Sequence, residues 1–292
     1  MRVLVTGATG FLGTHLFRLM SSKHEVFGVT RTAQAHLGSN NLVADLSSNF
    51  DTTTWPDVDA VVHLAQASNY ASFPKGASEV FAVAASATQR LLEYAIRVGA
   101  KRFVYASTGG LYQKSATPVK EADEISFGAG GLSHYFASKR SGELIVQSYA
   151  NELDVTCARI FFCYGPGQEK NMLLPRLMSV VARSAPIQLA GRDGLRINPV
   201  FVGDAANVFQ HLVENGGPQT LNVAGPKSIS LREIGDVLGA CLSTKPVFEV
   251  DTGAESPRME ADVSLMTSLF EHAWTEPADG LRMMVSDSSQ LA

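Results

Sequence analysis

The chain reads as a doubly wound α/β protein: a parallel sheet with helices on both faces, followed by a smaller α/β lobe. Three observations predict this. Short apolar runs alternate with segments of helical apolar spacing through the first half. A glycine turn, Gly7-x-x-Gly10-x-x-Gly13, stands directly between the first apolar run and the first helical segment. Beyond residue 165 the alternation gives way to shorter runs punctuated by prolines at 175, 186, 199, 218, 226, 246 and 257. Residues 1–165 are assigned to the sheet domain and 166–292 mainly to the second lobe, with later strands free to return to the sheet.

In chain order, Arg2 to Thr6 is a buried strand, and Phe11 to Met20 is a helix with apolar residues at Leu12, Leu16, Leu19 and Met20. Glu25 to Val29, Asn41 to Leu46 and Ala60 to Leu64 read as strands buried on both faces. Ser78 to Val98 carries a long helical pattern closed by Gly99, which tolerates the left-handed conformation at a helix end. Lys101 to Ser107 is a strand, Leu132 to Leu153 a helix and Asp154 to Phe161 a strand. The second half holds a helix at Met172 to Ser184, short strands near Ile187 to Leu189 and Ile197 to Val202, and a helix at Asp204 to Glu214. Ser230 and Glu233 form a capping box that opens a further helix. Ser286 to Ala292 reads as a frayed tail.

With 292 residues, 45% hydrophobic and 18% charged, the composition is that of an ordinary globular chain. A net charge of -4 with no Lys/Arg cluster argues against nucleic acid as a partner. Cys157, Cys163 and Cys241 have neither metal nor redox spacing. They are read as small core residues in a reduced, cytoplasmic setting, and no metal is expected. No apolar stretch approaches about 20 residues and no cleavage-site pattern follows the first strand, so neither membrane spanning nor secretion is expected.

The glycine turn has a specific physical use. Gly7, Gly10 and Gly13 let backbone approach a pyrophosphate, and the helix that follows offers free N–H groups and a partial positive charge. Asp45, at the end of the third strand, is placed either to accept from an adenine amino group or to cap a helix. At the end of the second strand, where an acidic side chain would take the ribose hydroxyls of NAD, the chain has Thr30 and Arg31. Thr30 brings no repulsive charge and Arg31 is able to pair with a 2'-phosphate, so NADP is preferred over NAD. Tyr135 and Lys139, four apart, fall on one helix face. A neighbouring cation favours the ionised form of a phenol that otherwise titrates near pH 10.

Thr6-Gly-Ala-Thr-Gly-Phe-Leu-Gly13, Val62-His-Leu-Ala65, Phe103-Val-Tyr-Ala-Ser-Thr108 with Tyr112, Tyr135-x-x-x-Lys139 and Arg159-Ile-Phe-Phe-Cys-Tyr-Gly-Pro166 occur in order. With Ile197-Asn-Pro-Val-Phe-Val-Gly-Asp204, Ser230-Leu-Arg-Glu-Ile234 and Gly280-Leu-Arg282, this set resembles an extended short-chain dehydrogenase/reductase of the NAD(P)-dependent epimerase/dehydratase group. The resemblance implies a Rossmann domain and a homodimer, with Phe11, Leu12, Leu46, Leu64 and Ala65 among the cofactor contacts. It implies Tyr135 as catalytic acid/base and Lys139 as the residue that binds nicotinamide ribose and depresses the tyrosine pKa. Thr108, with Ser107 as the fallback, would hydrogen-bond the reacting oxygen, and Arg196 would grip substrate phosphate. His63 is read as lining or structural.

Where dehydratases of this group place Asp-Glu after the Thr, this chain has Gly109-Gly110, which argues against 4,6-dehydration. Ala84 and Phe162 stand where the group has Asn. The expected activity is epimerase or ketoreductase on a sugar-type alcohol, most simply a nucleotide sugar. A non-catalytic dinucleotide sensor on the same fold is the competing class.

Overall fold

The computed structural model describes residues 1–112 and 115–289. Its elements in chain order begin with β1 (Arg2–Thr6), α1 (Phe11–Ser21), β2 (Glu25–Thr30), β3 (Asn41–Val43), β4 (Ala60–His63), α2 (Ala77–Phe81), α3 (Ala87–Arg97) and β5 (Arg102–Thr108). They continue with α4 (Ser133–Ser148), β6 (Asp154–Ile160), α5 (Leu173–Ala182), β7 (Pro186–Ala190), β8 (Arg196–Ile197), α6 (Val202–Asn215) and β9 (Thr220–Val223). The last are β10 (Ile229–Ser230), α7 (Leu231–Leu242), β11 (Val247–Asp251), β12 (Arg258–Met259), α8 (Ser264–Leu269) and α9 (Pro277–Ser289).

The chain forms two compact units. The first comprises Met1–Leu111, Ile125–Arg159 and Ala206–Leu221. It carries the seven-stranded sheet of order β3-β2-β1-β4-β5-β6-β9, whose last strand runs on past Leu221. Pairings from β3 through β5 are parallel. This is the doubly wound order, and its direction reverses between β1 and β4, where such sheets bind ligands beyond the strand ends. Strands reading as continuous apolar runs are buried accordingly: Val3, Leu4, Val5, Val61 and Val62 have no solvent exposure. The second unit comprises Tyr112–Glu124, Ile160–Ala205 and the chain from Asn222 onward. It packs α5, α7 and α9 around Leu174, Ile187, Ile234, Leu238 and Leu281, with small sheets β10-β8-β12 and β11-β7.

Several predicted elements differ in extent. The third strand pairs only through Val43, because Asp45 closes a turn by accepting from the backbone N–H and hydroxyl of Ser47. Strand Ile197 to Val202 shrinks to Arg196–Ile197, since Pro199 has no N–H to pair and Val202 already opens α6. Helix Leu132 to Leu153 ends at Ser148. Residues 286–289, read as tail, belong to α9; residues 290–292 lie outside the described residues. The Ser230 and Glu233 capping box is formed, each side chain bonding the other's backbone N–H.

Candidate active site

The glycine turn begins with Gly7 at φ +69°, where a Cβ would lie 2.8 Å from the Ala65 backbone nitrogen. Gly13 is the tightest position, because a Cβ there would come within 2.0 Å of the Gly7 carbonyl oxygen. Gly10 is the N-cap of α1 and no side chain caps the helix, so its first N–H groups, from Phe11 onward, are served by no side-chain acceptor. The cradle suits an anionic pyrophosphate by its missing Cβ atoms and its uncapped helix end. Across the switch point, Thr6 accepts at its carbonyl from Leu64 N–H and at its hydroxyl from Ala65 N–H, both at 3.2 Å. That hydroxyl donates to His63 Nδ1 at 2.6 Å, and His63 Nε2 donates to the Val83 carbonyl at 3.1 Å. Burial drives the His63 pKa down to about 3, with the Lys139 charge adding to the effect. His63 is therefore a neutral strut that ties β1 and β4 to the helical layer.

At the end of β2, Thr30 is buried and its hydroxyl is spent: it donates to the Thr32 carbonyl at 2.8 Å and accepts from Asn41 Nδ2 at 2.7 Å. Arg31 is exposed, close enough to Asp45 that its charge helps hold that carboxyl below the usual range, after the two Ser47 hydrogen bonds. Asp45 is exposed and Leu46 buried. The end of β2 itself carries a guanidinium and no acid, with the Asp45 carboxylate from beyond β3 nearby.

Thr108 ends β5 and Tyr135 lies in the first turn of α4. Burial pushes the Tyr135 phenol above its ordinary value, the Thr108 hydroxyl hydrogen bond pulls it back, and the nearby Tyr70 pushes it further up. Thr108 Oγ1 also accepts from Gly110 N–H at 3.1 Å. Lys139 lies one turn along α4, with 3% exposure, and donates to the Ala106 carbonyl at 2.8 Å. Its nitrogen lies 5.0 Å from the Tyr105 ring centre. Desolvation lowers its pKa to about 8, against an opposing pull from Glu143. The Lys139 ammonium is directed to the Ala106 carbonyl, and burial is the largest influence on the Tyr135 phenol. Ser107, the fallback hydroxyl, is buried beside Glu143, whose carboxyl it helps hold down. Gly110 is tolerated as nothing larger would be, since a Cβ would meet the Phe136 ring at 2.3 Å.

Residues around this centre that the sequence reading did not single out are Glu143, Tyr105 and Tyr70. Glu143 is fully buried and takes Arg159 through two bonds, Nε to Oε1 at 2.8 Å and Nη2 to Oε2 at 2.9 Å. Arg140 Nη1 adds a third at 2.8 Å. Its signal was visible, because Tyr135, Lys139 and Glu143 stand at successive spacings of four. Tyr105 donates to the Ala84 carbonyl at 3.0 Å, and Ala84 itself is fully buried.

In the second unit, Arg196 is partnered rather than open: Nη2 donates to Glu233 at 3.2 Å and Nη1 to the Ser228 hydroxyl at 3.3 Å. Phe162 has φ +43°, a left-handed conformation that Asn adopts more easily than Phe. Among the described residues no group of three or more His, Cys, Asp or Glu could hold a metal ion, and no helix is long and apolar enough to cross a membrane.

The model of the NAD dependent epimerase/dehydratase family matches residues 3–224. The uncharacterized UDP-glucose epimerase YtcB of Bacillus subtilis (strain 168) is 26% identical over 320 residues, which covers 97% of this chain and 95% of that protein. A dTDP-4-dehydro-6-deoxy-D-allose reductase of Streptomyces sp is 25% identical over 295 residues, covering 92% of this chain and 90% of its own. The solved structure of MoeE5 in complex with UDP-glucose and NAD matches 100% of this chain and 99% of its own, at TM-score 0.82 and 26% identity. The chain therefore belongs to the NAD dependent epimerase/dehydratase family and is an enzyme of the extended short-chain dehydrogenase/reductase type.

Proposed function

We propose that this enzyme carries out hydride transfer at a secondary alcohol or ketone of a nucleotide sugar, as an epimerase or ketoreductase, with Thr108, Tyr135 and Lys139 at its chemical centre. The observation that carries this reading is the meeting of the strand end of β5, which bears Thr108, with the first turn of α4, which bears Tyr135, and a buried Lys139 ammonium one helical turn further on that donates to the Ala106 carbonyl of the same strand. A bound nicotinamide dinucleotide supplies the hydride acceptor and donor. Gly7, Gly10 and Gly13 with the N-terminus of α1 hold its pyrophosphate, and Phe11, Leu12, Asp45, Leu46, Leu64 and Ala65 line its path. Arg31, which follows β2 and feels the Asp45 carboxylate nearby, favours NADP over NAD by exchanging that neighbour for a 2'-phosphate.

The chain's own part is proton movement and orientation. Tyr135 keeps its proton at neutral pH because its pKa is raised, so it donates to a ketone oxygen and recovers the proton from an alcohol in the reverse direction. Thr108 orients that oxygen, and Lys139, able to lose its proton near pH 8, takes the ribose hydroxyls. Arg196 grips the diphosphate on exchanging its bond to Glu233. Gly109 and Gly110 offer no acid or base, and the Phe136 ring fills the space a side chain at 110 would need, which speaks against 4,6-dehydration. The names of the relatives, one an epimerase and one a reductase, support both directions of use.

The test is turnover of a panel headed by UDP-glucose with NAD and NADPH. Tyr135→Phe should lower turnover by about 10²-fold or more while leaving cofactor affinity within about twofold. Unchanged turnover in this variant would overturn the acid/base assignment. Stereochemical inversion with tightly held cofactor marks an epimerase, and stoichiometric NADPH consumption marks a reductase.

A further inference from the structure

Lys139 and Glu143 stand four apart on α4, the spacing at which an ammonium and a carboxylate on one helix ordinarily pair. Among the described residues the two do not pair. The ammonium is directed instead to the Ala106 carbonyl of β5 at 2.8 Å, two residues before Thr108 on the same strand. Glu143 is still close enough to be felt, because its charge opposes the desolvation that lowers the Lys139 pKa to about 8.

Other donors occupy the carboxylate. An ionised carboxyl group accepts at about four lone-pair sites. Arg159, from β6, bonds one oxygen through Nε at 2.8 Å and the other through Nη2 at 2.9 Å. Arg140 Nη1 adds a bond at 2.8 Å, and the Ser107 hydroxyl lies beside them. The Arg159 fork is the deciding contact, since a rigid guanidinium matches both oxygens of a carboxylate and a single ammonium does not. Burial pushes the Glu143 pKa up, and Arg159 outweighs it, so the group stays an anion. A buried anion without its partner would draw the nearest cation, and here that cation is Lys139.

We propose that Arg159 is a positioning residue for the reaction: by holding both oxygens of Glu143, it keeps that carboxylate from capturing the Lys139 ammonium, which stays directed along β5 for the nicotinamide ribose. This rests on Lys139 as the ribose ligand. The two partners of the ion pair then act on Lys139 in opposite senses. Losing Arg159 releases an anion that takes the ammonium, whereas losing the Glu143 charge leaves the ammonium in place and less favoured as a cation. A pair that only braced α4 against β6 would have one effect from either side. The other ionisable groups facing Lys139 are Tyr135 on its own helix, His63 on β4 and Tyr105 on β5, and the π-helical turn at Ala82–Ser86 brings none.

The full chain is titrated by fluorescence with NADPH and with NADH, between about pH 6 and 10, as the unaltered protein and as variants. Lys139→Ala should bind the tighter of the two about tenfold more weakly at about pH 6.5 and lose the pH dependence. Arg159→Met should also bind about tenfold more weakly there, and its remaining fall in affinity should move to higher pH by about one unit. Glu143→Gln should stay within about twofold at that pH, with the fall moved to lower pH by about one unit. The double variant, which has no anion to capture the ammonium, should recover to within about threefold of the unaltered protein. Arg159→Lys keeps a buried cation but cannot hold both oxygens; it should weaken binding about threefold and is read in place of Arg159→Met where that variant does not unfold cooperatively. Unchanged affinity in Lys139→Ala overturns the ribose reading and the positioning with it. Weaker binding in Lys139→Ala, with shifts of the same sign or no shift in the Arg159 and Glu143 variants, overturns the positioning alone.

Discussion

Burial acts in opposite directions on Tyr135, Lys139 and His63, and the site's protonation pattern follows from it. Withdrawing a phenol from water disfavours its anion, whereas withdrawing an ammonium or imidazolium disfavours the cation. At neutral pH the centre therefore holds a neutral Tyr135, a Lys139 near its titration range at about 8, and a neutral His63. The tautomer of His63 follows from its partners, since Nε2 faces a carbonyl and must carry the proton. This has a consequence for stability. Folded His63 takes a proton only near pH 3, whereas the unfolded chain takes one near 6.5, so below pH 6.5 the unfolded state binds more protons and stability falls as pH falls. The contribution between pH 6.5 and 5 is about 2 kcal/mol. Urea unfolding at the two pH values should show this loss, and His63→Asn should flatten it. An equal slope in the variant would show that His63 does not titrate this way.

At the scale of elements, α4 organises the centre. Tyr135, Lys139 and Glu143 follow one another along one face, and Glu143 fastens that face to Arg159 on β6. Helix and sheet can approach closely because residue 142 is Gly: a Cβ there would lie 2.3 Å from both the Ala84 carbonyl oxygen and the Tyr105 hydroxyl. Opposite it, the predicted helix Ser78 to Val98 is interrupted by a π-helical turn at Ala82–Ser86. Side chains from the sheet claim its carbonyls, His63 that of Val83 and Tyr105 that of Ala84, and Thr88 also donates to Ala84. Apolar periodicity predicts the helix but is blind to hydrogen bonds arriving from strands distant in sequence. Glu143→Ala should cost about 3–5 kcal/mol, because it leaves a buried guanidinium without its carboxylate. The shift in urea midpoint measures it, and a loss under about 1 kcal/mol would mean that Arg140 and Arg159 find other acceptors.

For the whole molecule, the ordered motifs made the succession of strands and helices of the sheet legible through β6, whereas the return of α6 and β9 to the same unit was left open. The cofactor turn, the strand-end hydroxyl and the Tyr/Lys pair are each local in sequence, and the sheet order gathers them at the carboxyl ends of β1, β4 and β5. The second unit was less legible. Its strands β8, β10 and β12 are two residues long, too short to show a period of two. Cofactor choice is a property of the assembled sheet edge and is read by ligand-induced stability. Saturating NADP at about 100 times its Kd should stabilise the protein by about 2.7 kcal/mol. In thermal unfolding the NADP shift should exceed the NAD shift, and Arg31→Ala should lower NADP affinity about tenfold, or about 1.4 kcal/mol, with little change for NAD. A variant that loses both affinities equally, or neither, would remove Arg31 from the discrimination.

What the sequence by itself determined is the doubly wound fold, the glycine turn and the placing of Tyr135 and Lys139 one turn apart on one helix, because these rest on alternation and short-range spacing along the chain. Only the tertiary structure decided that Arg196 is paired with Glu233, that Thr30 spends its hydroxyl on Asn41 and Thr32, and that Lys139 turns to the Ala106 carbonyl while burial raises the Tyr135 phenol. Hydrogen-bond partners and desolvation depend on residues tens of positions apart in the chain, and those neighbours exist only once the sheet has closed.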